Sequence, residues 1–136
     1  MTGTQIVLAA IVLALSFGGY RRLTDGRATA SVAGHRLDAA ALGSALGDAA
    51  TLVQFSSSTC APCAATRRVL QAVVDEQHGV THCDIDAETR LDLVERFGIS
   101  RTPTVLLLDR SGEVRHRIVG AARRTEVVEA LTRVAA

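Results

Sequence analysis

The sequence VQFSSSTCAPCAATRRVL, at residues 53–70, contains two cysteines at C-x-x-C spacing between two segments of different periodicity. Residues 51–56 are rich in β-forming side chains and are predicted to form a strand that ends at the serine cluster. From residue 60 to about residue 78, apolar side chains follow one helical stripe and charged side chains occupy the opposite face. Cys60 and Cys63 are therefore predicted to lie at the N-terminus of a helix that follows a strand.

A thiol pair at this position suits disulfide exchange, which needs an exposed thiol that ionises near neutral pH and a second thiol close behind it. The unpaired N–H groups and the dipole of the helix stabilise a thiolate at Cys60, and the i, i+3 spacing brings Cys63 within reach but leaves it more covered. We therefore expect Cys60 to attack and Cys63 to resolve the mixed disulfide.

Two other interpretations of the cysteine pair remain. Half of a zinc site would need further ligands, but the chain has no second C-x-x-C motif and its four histidines are scattered, so no metal site is predicted. The cysteines could also be small packed side chains, although Pro62 between them and the strand-loop-helix context make this interpretation weaker.

The rest of the chain continues the alternation of strands and helices. Residues 37–46, 87–97 and 124–134 have helical patterns, whereas residues 80–86, 104–109 and 113–120 have strand patterns. A β-α-β unit, then a helix, a β-hairpin and a last helix predict an α/β fold. Its central sheet is mixed and has helices on both faces.

The N-terminal segment, residues 2–20, carries no charge and as a helix would span roughly 28 Å, close to the thickness of the bilayer hydrocarbon. We predict one transmembrane helix there, a linker at residues 21–34 and a folded domain at residues 35–136. A buried core helix and a cleaved signal peptide are the alternatives, but no basic side chain precedes the apolar segment. Arg21 and Arg22 follow it, which favours a single-pass protein of the cell membrane with a cytoplasmic domain over an extracytoplasmic one.

Composition excludes some classes of function. All fifteen basic residues are arginine, so lysine-based catalysis is excluded, and a net charge near +1 gives no basic footprint for nucleic acid. Three cysteines cannot all pair within one chain, which argues against a disulfide-stapled fold.

Three segments, VQFSSSTCAPC, VTHCDID and FGISRTPTVLLLDRSGEVRHRIVGA, resemble the thioredoxin family in their order and spacing. The resemblance covers about residues 50–136 and implies a thioredoxin-like fold that uses its redox-active disulfide and no bound cofactor. It also implies that Pro103 follows a cis peptide bond and faces the dithiol. The backbone of Thr102 would pair with an extended segment of the substrate.

The sequence departs from the family pattern around the dithiol. Gln54 stands where thioredoxins usually carry a buried acid, and an amide cannot take a proton. His82 stands where a lysine is usual; it could carry the proton of Cys63, or it could simply be a strand histidine bonded to a neighbour.

Two further departures concern the contact surface for substrates. Thr59 replaces the usual tryptophan and Ala61 the common glycine, so the surface formed with Pro62 is smaller and more polar. The remaining cysteine, Cys83, is expected to be a buried small residue on a strand covered on both faces.

These observations predict a membrane-tethered protein-disulfide reductase. Its partners would be proteins with disulfides or thiols and an electron donor such as a thioredoxin reductase or a membrane thiol carrier. One alternative is an extracytoplasmic thiol reductase that serves cytochrome c or cysteines of envelope proteins. Another is a redox-inactive docking domain or a metal chaperone, which the loss of the acid at Gln54 favours.

Overall fold

A computed structural model describes residues 3–24, 28–30 and 35–135 of the chain. An N-terminal helix precedes an α/β domain. The helices are α1 (Gly3–Thr24), α2 (Ala39–Leu42), α3 (Ala61–Glu76), α4 (Leu91–Arg96) and α5 (Arg124–Ala135). The strands are β1 (Ala28–Ala30), β2 (Ala50–Ser56), β3 (Val80–Asp86), β4 (Thr104–Asp109) and β5 (Val114–Val119).

The five strands form one mixed sheet in the order β1-β5-β4-β2-β3. The crossover through α3 makes β2 and β3 parallel, while β4 is antiparallel to both β2 and β5. The β4–β5 turn requires glycine at position 112, which has φ +84 and where a Cβ would lie 2.2 Å from the carbonyl oxygen of Leu37. The predicted mixed sheet is confirmed.

Each face of the sheet is covered by helices, as predicted, because the strands alternate their side chains between two apolar clusters. On one face α3 and α5 pack over a cluster that includes Leu52, Leu70, Val105 and Val127. On the other face α2 and α4 cover a cluster centred on Phe55. Helix α3, which begins at the two cysteines, is therefore fixed to the sheet by a continuous core.

The N-terminal helix extends to Thr24, four residues beyond the predicted span at residues 2–20. All of its described side chains are exposed, and it is long and apolar enough to cross a membrane. At 22 residues it is about 33 Å long. It is therefore a candidate membrane span.

Part of the predicted linker at residues 21–34 is a strand. Its residues Ala28–Ala30 form β1 and pair with β5 in antiparallel register. The other linker residues, 25–27 and 31–34, lie outside the described residues. The sheet therefore starts seven residues before the predicted domain boundary at residue 35.

Two predicted helices are shorter in the structure. Gly43 adopts φ +70 and donates its N–H to the carbonyl of Ala39, which ends α2 well before residue 46. In the segment predicted as a helix over residues 87–97, the carboxylate of Asp86 accepts the N–H of Glu88 and supports a turn, so that α4 begins only at Leu91.

Candidate active site

The two cysteines of the C-x-x-C motif lie at the first turn of α3, as predicted. Cys60 is the N-cap residue and forms a disulfide with Cys63, with 5.5 Å between their Cα atoms. Cys60 is partly exposed, whereas Cys63 is only 2% exposed. Pro62 lies in the first helical turn, where the missing N–H costs no hydrogen bond. This arrangement leaves one sulfur open to a partner and keeps the other behind it.

The loop before β4 closes over the same end of the sheet. The Thr102–Pro103 peptide bond is cis, which confirms the sequence-based prediction. The hydroxyl groups of Ser57 and Thr102 lie 3.1 Å apart, which joins this loop to the segment before the dithiol. The N–H of Gly120 donates to the carbonyl of Pro103 at 2.8 Å and holds the loop from the other side.

Gln54 lies fully buried beneath the redox helix. Its Nε2 donates to the backbone carbonyl of Cys63 and to the hydroxyl of Ser56, both at 3.0 Å. Because both donors of the amide are used in this way, its Oε1 points elsewhere and can act only as an acceptor. The residue in the position of the family's usual acid therefore ties the sheet to the redox helix through neutral hydrogen bonds.

The acceptor of Gln54 contacts His82 on the neighbouring strand. His82 Nε2 lies 3.2 Å from Gln54 Oε1, and since an amide oxygen has no proton to give, Nε2 carries the hydrogen and Nδ1 is the basic nitrogen. Burial lowers the pKa of His82 below its ordinary value; the carboxylate of Asp84 opposes this effect and the guanidinium of Arg67 adds to it. The imidazole is therefore neutral at neutral pH.

A carboxylate also belongs to this network. Asp84 pairs in register with Gln54 across the parallel strands, and its Oδ1 accepts the hydroxyl of Ser56 at 2.7 Å. Its Oδ2 accepts Arg67 Nε at 2.6 Å. A cleft of about 300 Å³ opens beside these side chains and is lined by Ser56, Ser57, Ser58, Arg67, Asp84 and Asp86. Solvent thus reaches the carboxylate that ends the chain of hydrogen bonds from Gln54.

The sequence-based site residues lie close to one another in the fold. Thr59, Ala61 and Pro62 are exposed around the dithiol, while Thr102 is partly exposed and Pro103 is buried. Sequence reasoning did not include Ser56, Arg67 and Asp84. Strand alternation could have indicated Asp84, because it lies two residues after His82 and thus on the same face of β3.

Cys83 differs from the expectation of a buried residue on a covered strand. Its strand β3 is an edge of the sheet, and Cys83 is only partly buried because it has a strand neighbour on one side alone. Its Sγ lies 4.0 Å from the carbonyl oxygen of Leu42.

Among residues 3–24, 28–30 and 35–135, no three His, Cys, Asp or Glu side chains cluster in a way that could hold a metal ion.

Comparison with known proteins agrees with the resemblance found in the sequence. The family model of the thioredoxin-like domain matches residues 40–135. Thioredoxin H2 of Arabidopsis thaliana is 31% identical over 72 residues, which cover 53% of this chain and 53% of that protein. Thioredoxin of Chlamydia muridarum is 32% identical over 82 residues, which cover 60% of this chain and 79% of that protein. The matched segment thus spans about half of the first relative.

Solved structures show the same fold. A mutant thioredoxin from Halobacterium salinarum superposes with a TM-score of 0.58 at 21% sequence identity, covering 66% of this chain and 77% of that chain. At this identity the similarity describes the architecture of the domain. The sheet and helices around the cysteine pair therefore follow a known arrangement.

Proposed function

The chain belongs to the thioredoxin-like family, and from that premise we propose that it is a membrane-tethered thiol–disulfide oxidoreductase that reduces protein disulfides. The family and the close cysteine pair support oxidoreductase chemistry. The observation that carries the proposal is the Cys60–Cys63 disulfide at the first turn of α3, with Cys60 partly exposed and Cys63 covered. The cis Thr102–Pro103 loop beside it would offer its backbone to an extended substrate.

The reaction begins from the reduced dithiol. The Cys60 thiolate attacks one sulfur of the substrate disulfide, a bond forms between them, and the other substrate sulfur leaves and takes up a proton. Cys63 then loses its proton and attacks Cys60 Sγ, which releases the second substrate thiol and closes the Cys60–Cys63 disulfide. Two electrons pass to the substrate. A dithiol donor, such as a thioredoxin reductase or a membrane thiol carrier, would return them.

The surface near the dithiol bears on how selective the protein would be for its substrates. Thr59, Ala61 and Pro62 are small and exposed, so an approaching chain meets little steric obstruction there. Specificity would then rest on backbone pairing at Thr102, beside the cis bond to Pro103, more than on side-chain pockets.

The second step needs a base for the covered Cys63 thiol. We assign this role to Nδ1 of His82, which would take the proton by way of water, with Gln54 as the positioning residue whose amide oxygen holds the Nε2–H. His82→Gln should flatten the pH dependence of activity and slow the resolution of the mixed disulfide more than the first attack. Gln54→Asp should partly rescue that variant by restoring an acid. If His82→Gln shows the same dependence of rate on pH as the wild type from about pH 5 to pH 9, a range that includes the ordinary imidazole pKa, water carries the proton instead of His82.

The tether and its orientation are part of the proposal. The candidate span α1 supports attachment to the cell membrane, and Arg21 and Arg22 in its last turn favour a cytoplasmic domain. A reporter fused after residue 135, read in cells, would distinguish the two sides. An extracytoplasmic domain would favour a reductase for cytochrome c or envelope cysteines.

Insulin reduction by the purified full chain in detergent, with dithiothreitol as the electron donor, tests the oxidoreductase activity. We expect turnover with the wild type and with Cys83→Ser, which is the matched control, and none with Cys60→Ser. A redox-inactive docking domain or metal chaperone, the candidate that Gln54 favours, would show no turnover that depends on Cys60.

A further inference from the structure

The path of the chain into the sheet relates the candidate membrane helix to the dithiol. Strand β2 runs toward the active-site end, where Cys60 follows it, and β5 runs the same way because each is antiparallel to β4. Strand β1 is antiparallel to β5, so it begins at the active-site end and runs away from it. The chain therefore enters the domain at the end of the sheet that carries the dithiol.

The pairing register of the strands gives the distance from the start of β1 to the residue beneath the dithiol. Ala28 pairs with Ile118, Ile118 with Val105 and Val105 with Gln54, so that the first residue of β1 is level with the residue beneath Cys63. Three strand spacings separate Ala28 from Gln54, which is roughly 14 Å. Four steps of the chain from Thr24 to Ala28 reach at most about 14 Å. The end of α1 is thus held close to the active-site end of the domain.

A second contact joins the same two parts. The guanidinium of Arg123 donates a hydrogen bond to the backbone carbonyl of Arg22 in the last turn of α1. Arg123 follows β5, in the connection to α5 at the active-site end. Arg21 and Arg22 are exposed beside it, so this end of the molecule presents cationic side chains toward anionic headgroups.

From this geometry we infer that the dithiol faces the bilayer surface and that its partner is a disulfide or dithiol presented at headgroup level by an integral membrane protein. The inference rests on the tether and the exchange chemistry proposed above. Three residues separate Thr24 from Ala28, too few at any chain extension to lift the domain far from the membrane, so disulfides near the surface meet Cys60 at high effective concentration. Disulfides held far above the membrane are out of reach of the tethered domain.

Energy transfer to labelled lipid headgroups tests the orientation. The full chain, with its three cysteines changed to serine, receives one new cysteine for a fluorophore, either Glu88→Cys at the active-site end or Arg110→Cys at the opposite end. Both positions are exposed. In vesicles of phosphatidylcholine and phosphatidylglycerol we expect higher transfer from position 88. A flexible insert of about 20 Gly and Ser residues between Thr24 and Ala28, with a mean span of roughly 25 Å, should abolish the difference.

A reduction assay tests the partner. The probe is a single-span Leu-rich peptide that carries a fluorophore through a disulfide, either directly outside its apolar segment or beyond a proline-rich spacer of about 60 Å. The wild type in vesicles, reduced beforehand and freed of excess reductant, should reduce the surface probe at least about tenfold faster than the distant probe in a single turnover, and the insert should remove most of this preference. A small aromatic disulfide in solution should be reduced equally by both proteins, which is the matched control.

The outcomes separate the two proposals. Equal transfer from the two labels, or equal rates on the two peptide probes, would overturn the inference while the reduction of the soluble disulfide stands. A chain that does not float with vesicles would overturn both the tether and the inference, again without touching the chemistry. Failure to reduce the soluble disulfide would overturn the proposed activity, whereas the transfer data would still report which end faces the membrane.

Discussion

At the scale of single residues, Cys60 and Cys63 share a disulfide but have different surroundings. Cys60 is the N-cap residue of α3 and is partly exposed, so its sulfur lies at the positive end of the helix dipole. Cys63 lies one turn inside, and its backbone carbonyl accepts the amide of Gln54. The thiolate form is therefore favoured at Cys60, and Cys63 depends on a base.

Alkylation of the reduced domain tests this difference. Cys60 should react first with iodoacetamide, and its pKa should lie below that of a free cysteine, because it is exposed at a helix N-terminus. Peptide mass spectrometry after brief labelling reads out the order. Cys63→Ser should trap mixed disulfides through Cys60. Faster labelling of Cys63 would reverse the assigned roles.

The pH dependence of stability tests the burial of His82. Its folded-state pKa is lowered, so the unfolded chain takes up the proton more readily. The contribution of neutral His82 is complete above the unfolded value of about 6.5 and is lost as the pH falls through that value toward the folded pKa. Urea unfolding at several pH values should show a smaller acid loss for His82→Gln than for the wild type.

The control for this measurement is His78→Gln, because His78 is exposed. That variant should keep the wild-type dependence on pH. The same acid loss in the wild type and in His82→Gln would mean that burial does not hold the imidazole neutral.

At the scale of elements, helix α3 holds the dithiol in place through its buried face. Leu70 and Val73 on this face belong to the core cluster that also contains Leu52 and Val105. The N-terminal turn of α3 carries the cysteines, while the buried stripe behind it supplies the packing. Rigid support of this kind helps to keep the two sulfurs within bonding distance.

Truncation of a leucine on each of two helices tests this packing. Leu70 is fully buried, so Leu70→Ala should lower the free energy of unfolding by about 2–5 kcal/mol. Leu91 on α4 is 66% exposed, and Leu91→Ala should change it by less than about 0.5 kcal/mol. Denaturant melts of the oxidised protein measure both, and similar values for the two variants would contradict the assigned core.

Periodicity sufficed to predict the elements with strong patterns. The predicted bounds of strands β2 to β5 and of helices α3 and α5 agree with the observed bounds to within one or two residues. The three-residue β1 has no pattern of its own, because its pairing depends on the free edge of β5. The contact between Gln54 and His82 follows from strand adjacency, which the family layout provides. The bonds to Ser56 and Asp84 depend on side-chain rotamers that no pattern records.

At the scale of the whole molecule, the chain combines a fully exposed apolar helix with a domain whose core is complete without it. No residue of α1 is buried, whereas the sheet carries an apolar cluster on each face. Exposed apolar surface of this extent is unfavourable in water. A bilayer would cover it, which is the physical basis of the proposed tether.

Charge placed at two depths of α1 tests the tether. Leu13→Arg, near the middle of the helix, should weaken membrane insertion by about 3–4 kcal/mol, whereas Leu23→Arg, beyond Arg22, should have little effect. Vesicle flotation at alkaline pH measures the membrane-bound fraction. Equal flotation of both variants would indicate that α1 does not span the hydrocarbon.

The two edges of the sheet also bear on how the protein behaves when crowded. β1 offers a neighbouring chain only three residues to pair with, but β3 offers seven. Unpaired strand edges are templates for polymerisation, and charged side chains on them oppose it. Asp84 and Asp86 are exposed on β3, so the strand that supports the redox site also repels a second copy at that edge. The carboxylates beside the redox site thus also bear on colloidal stability, and removing them for mechanistic work would favour aggregation.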